Sequence, residues 1–253
     1  MSKAVFLIHG FLSEMNEYDE IHQDLYKRYD YICKPTMPGH GKDGECDYNK
    51  FTEKETFKLL LDSFDELQKE YDEIDVIGFS MGGALAAYLS SVRKFNKLVL
   101  ISPANKYFNP KTLITSTIYA MRLFRLLEKS IKRKDEREQD AYRNLLASFT
   151  GDFHESKGFL LRKFIKSYIW KAYKEFRDIV INCNKDLKEI TNPTLILWGK
   201  LDQLVPEKSA RELFNICTNE ERKLIIYEEY THLMLLSKDP HRIIDDILEF
   251  LDK

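Results

Sequence analysis

No apolar run in the 253 residues approaches the roughly twenty needed to cross a bilayer, so a membrane-spanning chain is not expected. The short apolar stretch before His9 is also too brief to be the core of a signal peptide. Cysteine is sparse and scattered: Cys33, Cys46, Cys183 and Cys217 form no Cys-x-x-Cys pair. That spacing argues against a disulfide framework or a zinc site and fits free thiols in a reducing cytoplasm. A net charge of −2 offers no basic surplus, so nucleic acid is not an expected partner. Internal repeats, low-complexity tracts and linkers are absent too. What is there, 43% hydrophobic and 32% charged residues, is a globular composition, in a chain long enough for one large domain or two small ones.

The apolar pattern alternates between strand and helix. Residues 4–8 read as a strand buried on both faces, and 18–29 as an amphipathic stretch with Ile21 and Leu25 on one side. Residues 31–36 read as a weaker strand, interrupted by Lys34 and Pro35. A helix follows Thr52, its expected cap, with Glu55 at the capping-box position and an apolar face of Phe57, Leu60, Leu61, Phe64 and Leu67. Strands are expected at 74–79 and 97–102. From 103 to about 190 the pattern is almost wholly helical, including an apolar periodicity over 159–176. Alternation resumes with a strand at 193–198, a helix at 207–216, a strand at 223–227 and a closing helix at 240–251. Six strands alternating with helices imply a mostly parallel sheet covered on both faces. The helical block is then an insertion after the fourth strand. This gives a single domain, with a core of 1–103 and 191–253 and a helical lid over 104–190.

In such sheets ligands bind beyond the carboxyl ends of the strands. The third strand ends in Gly78-Phe79-Ser80-Met81-Gly82-Gly83, and a small-residue helix begins at once. Gly-x-Ser-x-Gly in a strand–turn–helix context is a nucleophile elbow. A serine hydroxyl needs a base, and the base needs an acceptor to hold its tautomer. Among the six histidines, His22 and His154 lie in charged helical surroundings, and His241 sits in the first turn of the last helix. His9 suits a loop-bracing role, and His40 lies in the turn cluster Pro38-Gly39-His40-Gly41. That leaves His232, in the loop between the last strand and the last helix, as the base. Asp202, directly after the fifth strand, is preferred over Asp186 and Asp239 as the orienting acid. A tetrahedral oxyanion needs two N–H donors. Met81 N–H, after the nucleophile, and Phe11 N–H, in the loop after the first strand, are the candidates.

Phe6-Leu7-Ile8-His9-Gly10-Phe11, Pro38-Gly39-His40-Gly41, Gly78-Phe79-Ser80-Met81-Gly82-Gly83, Trp198-Gly199-Lys200-Leu201-Asp202 and Thr231-His232-Leu233 together resemble the motifs of α/β-hydrolases. The likeness points to the small carboxylesterase and monoacylglycerol-lipase-like branch and covers both flanks of the chain. It departs in Thr231, where a small residue is usual, and in lacking two early strands of the larger fold. The resemblance implies an α/β-hydrolase fold and an acyl-enzyme route for cleaving carboxylic esters, with no metal or cofactor. The same residues leave thioester or carbon–carbon cleavage, a menaquinone-pathway-type lyase or a non-catalytic binding role open as alternatives.

Substrate choice is expected to lie in the insertion. Leu113, Ile114, Ile118, Met121, Leu123, Phe124 and Leu127, with Phe159, Leu160, Phe164, Tyr168 and Trp170, suggest an apolar pocket for short or medium acyl chains, reaching to monoacylglycerols. The partner is then a small-molecule ester with an apolar acyl group. Lys163, Lys166, Lys171 and Lys174 allow a membrane-touching helix, but lysines beside a buried face are the ordinary surface of a soluble one.

Overall fold

The six apolar runs become six strands of one parallel sheet: β1 (Lys3–Ile8), β2 (Tyr31–Cys33), β3 (Glu73–Phe79), β4 (Leu98–Ile101), β5 (Thr194–Gly199) and β6 (Arg222–Tyr227). They lie in the order β2-β1-β3-β4-β5-β6 with every neighbour parallel. The computed structural model describes residues 2–13, 16–41, 47–106, 169–202 and 204–253. The expected strand over 31–36 stops at Cys33. An edge strand has one neighbour only, and Pro35 has no N–H to give it.

The pleat sends Ala4, Phe6 and Ile8 to one face and Val5 and Leu7 to the other. On the first face lie α2 (Glu53–Glu70), α3 (Met81–Val92), α4 (Ile169–Asp186) and α5 (Glu207–Ile216). Their buried residues, among them Leu60, Phe64, Ala84, Ala86, Phe176, Ile179 and Leu213, form one core cluster with that face. The other face is covered by α1 (Asp19–Tyr26) and α6 (His241–Asp252), through Ile21, Leu25, Ile243, Ile247 and Phe250. The Thr52 side chain caps α2 by accepting the Glu55 N–H, as its sequence signature implies.

The described part of the periodic stretch read over 159–176 lies in α4, which runs on to Asp186. Ala172, Phe176, Ile179, Val180 and Cys183 are buried along it. Glu175 accepts the Glu53 N–H at the start of α2. The remaining residues named for the acyl pocket, from Leu113 to Tyr168, lie outside the described residues, as does the Trp170 side chain. Among the described residues no helix is long and apolar enough to cross a membrane.

The chain steps outward from β1 to β2 and then returns to β3 on the other side of β1. The crevice at this reversal opens at the carboxyl ends of β1 and β3, where the His9 loop and Ser80 meet.

Candidate active site

Ser80 follows β3 with φ 54° and ψ −114°, a conformation that L-residues rarely adopt. It is held there from several directions. Its N–H donates to Ile101 O at 2.9 Å, and its carbonyl accepts N–H groups of Gly83, Ala84 and Ala104. The flanking glycines are demanded by contact rather than flexibility. A Cβ on Gly78 would fall 2.3 Å from Gly82 O, and one on Gly82 would fall 1.9 Å from Ile8 O. The elbow is thus pressed against both its own helix and the end of β1.

Asp202 and His232 reach Ser80 from the other half of the sheet. The loops after β5 and β6 are joined by Lys200 N–H to Tyr227 O at 2.8 Å and Leu201 N–H to Tyr230 O at 3.0 Å. They run so close at Gly199 that a Cβ there would lie 2.3 Å from Tyr230 O. Asp202 Oδ1 accepts the Leu204 and Val205 N–H groups, both at 2.8 Å, which leaves Oδ2 turned to the histidine. His232 Nδ1–H donates to Asp202 Oδ2 at 2.7 Å, and the Ser80 hydroxyl donates to His232 Nε2 at 2.9 Å. The carboxylate accepts only, so it fixes the proton on Nδ1 and leaves the Nε2 lone pair for the serine. All three residues are at least 91% buried, where charge–dipole interactions are weakly screened. Of the rival acids, Asp239 offers its backbone carbonyl to Tyr230 OH, and the Asp186 side chain lies outside the described residues.

The loop after β1 lies directly over the serine, since a Cβ on Gly10 would come 3.4 Å from Ser80 Cβ. His9 is fully buried. Met37 N–H donates to its Nε2 at 2.9 Å, so the proton sits on Nδ1 and is donated to Gly10 O at 2.8 Å. Burial lowers the His9 pKa from its ordinary 6.5, against the attraction of nearby Glu17, which keeps the ring neutral for this bridging role. In a trans peptide the C=O and N–H point opposite ways. Clamping Gly10 O therefore aims the Phe11 N–H away from His9. Leu12 N–H is engaged by His40 Nε2 at 3.1 Å, and the other His40 nitrogen donates to Pro38 O at 3.1 Å. Among the described residues no hydrogen bond takes up the Phe11 or Met81 N–H. Met81 stands at the first position of α3, where helix geometry gives an N–H no internal partner.

Of the histidines set aside on sequence, His9 and His40 are loop braces, His22 lies beside Tyr26 with the rings tilted, and His241 is exposed. His154 lies outside the described residues. Sequence reasoning missed Glu17, a buried carboxylate under the same loop, because an acidic residue ahead of an amphipathic helix looks like any first-turn or solvated residue. It also missed Ser102, which follows β4 with φ 44° and donates its hydroxyl to Met234 Sδ, two residues beyond His232.

Known proteins resemble this chain at low identity. The chain is 22% identical to the carboxylesterase of Bacillus subtilis strain 168 over 253 residues, covering 99% of this chain and 93% of that one. It is 25% identical to the monoglyceride lipase of Homo sapiens over 248 residues, covering 91% of this chain and 75% of the relative. Its fold superposes on one of the metagenome-derived lipolytic enzymes LipS and LipT with a TM-score of 0.69 at 17% identity, over 99% of this chain and 93% of the other. Residues 1–239 match the family model described as serine aminopeptidase, S33. That match spans nearly the whole chain, and the chain belongs to this family of α/β-hydrolases.

Proposed function

We propose that this protein hydrolyses carboxylic esters of short to medium apolar acyl chains, monoacylglycerols included, through an acyl-enzyme on Ser80. The observation that carries the reading is the unbroken hydrogen-bond chain from Ser80 Oγ through His232 to Asp202, at 2.9 and 2.7 Å. In the proposed route Ser80 Oγ attacks the ester carbonyl carbon while its proton passes to His232 Nε2. Asp202 stabilises the imidazolium. The Phe11 and Met81 N–H groups receive the negative oxygen, each donor worth about 3–4 kcal/mol of barrier. The alcohol departs with the proton from His232, and a water deprotonated by the same nitrogen then releases the acid and restores the serine.

The ester assignment draws on the names of the relatives, a carboxylesterase and a monoglyceride lipase, since the triad itself is indifferent to the leaving group. Acyl-chain selection is assigned to the insertion over 104–190. Within it α4 stacks Phe176 on Phe11 at 4.8 Å between ring centroids, so one wall of the proposed oxyanion loop is apolar and aromatic. The test is fluorophosphonate labelling with mass mapping, followed by p-nitrophenyl esters of increasing chain length and an aminoacyl p-nitroanilide. Label on Ser80 and turnover peaking at short or medium esters are expected. Label elsewhere, or turnover of the anilide alone, overturns the reading.

A further inference from the structure

The loop over Ser80 rests on a buried carboxylate that the triad does not use. Glu17 is 3% exposed. Its Oε1 accepts the Gly10 N–H at 3.0 Å, and its Oε2 accepts the Ser13 hydroxyl. Gly10 is the residue of this loop least able to hold itself in place, because without a Cβ its backbone visits many conformations. Both peptide groups flanking it are nevertheless fixed. The group after it is clamped by His9 Nδ1–H on Gly10 O, and the group before it by Glu17 on Gly10 N–H. The Ser13 N–H also donates to Gly10 O at 3.4 Å, so Glu17 holds both ends of a short turn: Gly10 by its N–H and Ser13 by its hydroxyl.

We propose that Glu17 is a positioning residue for the oxyanion loop: it fixes the Gly10 backbone so that the Phe11 N–H stays aimed at the oxygen on Ser80-bound substrate. This rests on the function proposed above. It goes further by assigning a role to a residue that touches neither the substrate nor the triad. A buried carboxylate is costly unless it is hydrogen-bonded. The two donors Glu17 takes up both belong to the oxyanion loop. Its stabilisation is thus tied to the shape of that turn. Displacing such a donor by about 1 Å slows the reaction far more than the strength of one ordinary hydrogen bond would suggest.

The experiment compares wild type with Glu17→Leu, Glu17→Gln and Ser13→Ala on one p-nitrophenyl ester, with melting temperatures in parallel. Each enzyme is also titrated with an alkyl trifluoromethyl ketone, whose hemiketal oxygen on Ser80 occupies the donor site. Glu17→Leu is expected to lower kcat by about ten- to a hundredfold, part of the 10²–10³ that deleting a donor costs, with KM within about twofold. The ketone should weaken by a matching factor. Glu17→Gln keeps an acceptor for the Gly10 N–H, and the serine hydroxyl can accept from its amide, so it should hold at least about a third of wild-type kcat. Should Glu17→Leu not fold, Ser13→Ala decides: a fall in kcat with a parallel loss of ketone affinity supports the role, and no change in either overturns it. A folded Glu17→Leu with wild-type kcat, or one whose KM rises while kcat and ketone affinity hold, also overturns it. Failure of the functional reading looks different, since wild type itself would then neither hydrolyse the ester nor take fluorophosphonate on Ser80.

Discussion

The two ends of the sheet use buried polar groups in opposite ways. At the amino end, Asp75 at the start of β3 is 1% exposed and fully engaged by side chains and backbone. It accepts Tyr29 OH at 2.6 Å and Lys97 N–H at 3.0 Å, with Lys3 Nζ at 3.5 Å. Arg28 pairs with Asp252 close by, and Lys97 Nζ donates to Leu251 O. These contacts join β1 to β3, join β3 to the residues just after α1 and just before β4, and tie both of those to the end of α6. At the carboxyl end, the described non-glycine residues with positive φ gather: Leu12, Ser80 and Ser102, which follow β1, β3 and β4. Such residues cost on the order of 1–3 kcal/mol each and persist only where surroundings over-determine them. One end closes its polar groups on one another, and the other holds its backbone in costly shapes while the Phe11 and Met81 N–H groups meet no acceptor among the described residues.

Substitutions at the two ends should separate accordingly. The largest effect is expected from Ser80→Ala, about 10⁴-fold or more in kcat with an unchanged melting temperature. Turnover above a hundredth of wild type would place the nucleophile elsewhere. At the other end, Asp75→Ala leaves the Tyr29 hydroxyl and Lys97 N–H without their acceptor and Lys3 without its ion pair. Denaturant unfolding should show a loss of about 3–5 kcal/mol, while kcat of the folded enzyme stays within about twofold. A large drop in kcat there would erase the division between the ends.

Smaller effects sharpen the comparison. Phe176→Ala removes the stack on Phe11 and should lower stability by about 3 kcal/mol. If α4 supports the proposed oxyanion loop, kcat falls severalfold as well; equal kcat would limit α4 to packing. The last prediction concerns acid. His9 has a folded-state pKa below its unfolded value of about 6.5. Between the two values the unfolded chain binds the extra proton, so stability is present above pH 6.5 and is lost as pH falls. The melting temperature should therefore drop on going from pH 7.5 to 5.5. His9→Asn, which keeps a donor near the Nδ1 position and cannot titrate, should show a smaller drop across the same interval.

Much of this was legible from residue order because strands buried on both faces are continuous apolar runs. β5 and β6 sit within a residue of their expected bounds, and α5 matches its expected range, 207–216. Ser80, Asp202 and His232 could be named because a parallel sheet places everything that follows a strand at one edge. The contacts that hold them there were not legible. Gly199 reads as a turn glycine until Tyr230 O is found beside it, and Glu17 reads as a surface acid until Gly10 is seen against it. Such facts depend on pairs of backbone segments far apart in sequence, and no local pattern records them.

The joined loops at Gly199 have a consequence in time. Asp202 and His232 are built as a unit on β5 and β6, and His232 lies 152 residues after Ser80. On a ribosome adding about 5–20 residues per second, the proposed nucleophile emerges roughly eight to thirty seconds before its base. Until β5 pairs along β4, from Leu98 opposite Thr194 to Ile101 opposite Leu197, Ser80 has no partner to take its proton. On the proposed mechanism, a chain that has not yet added β5 and β6 carries an inert alcohol, and those two strands are the ones that arm it.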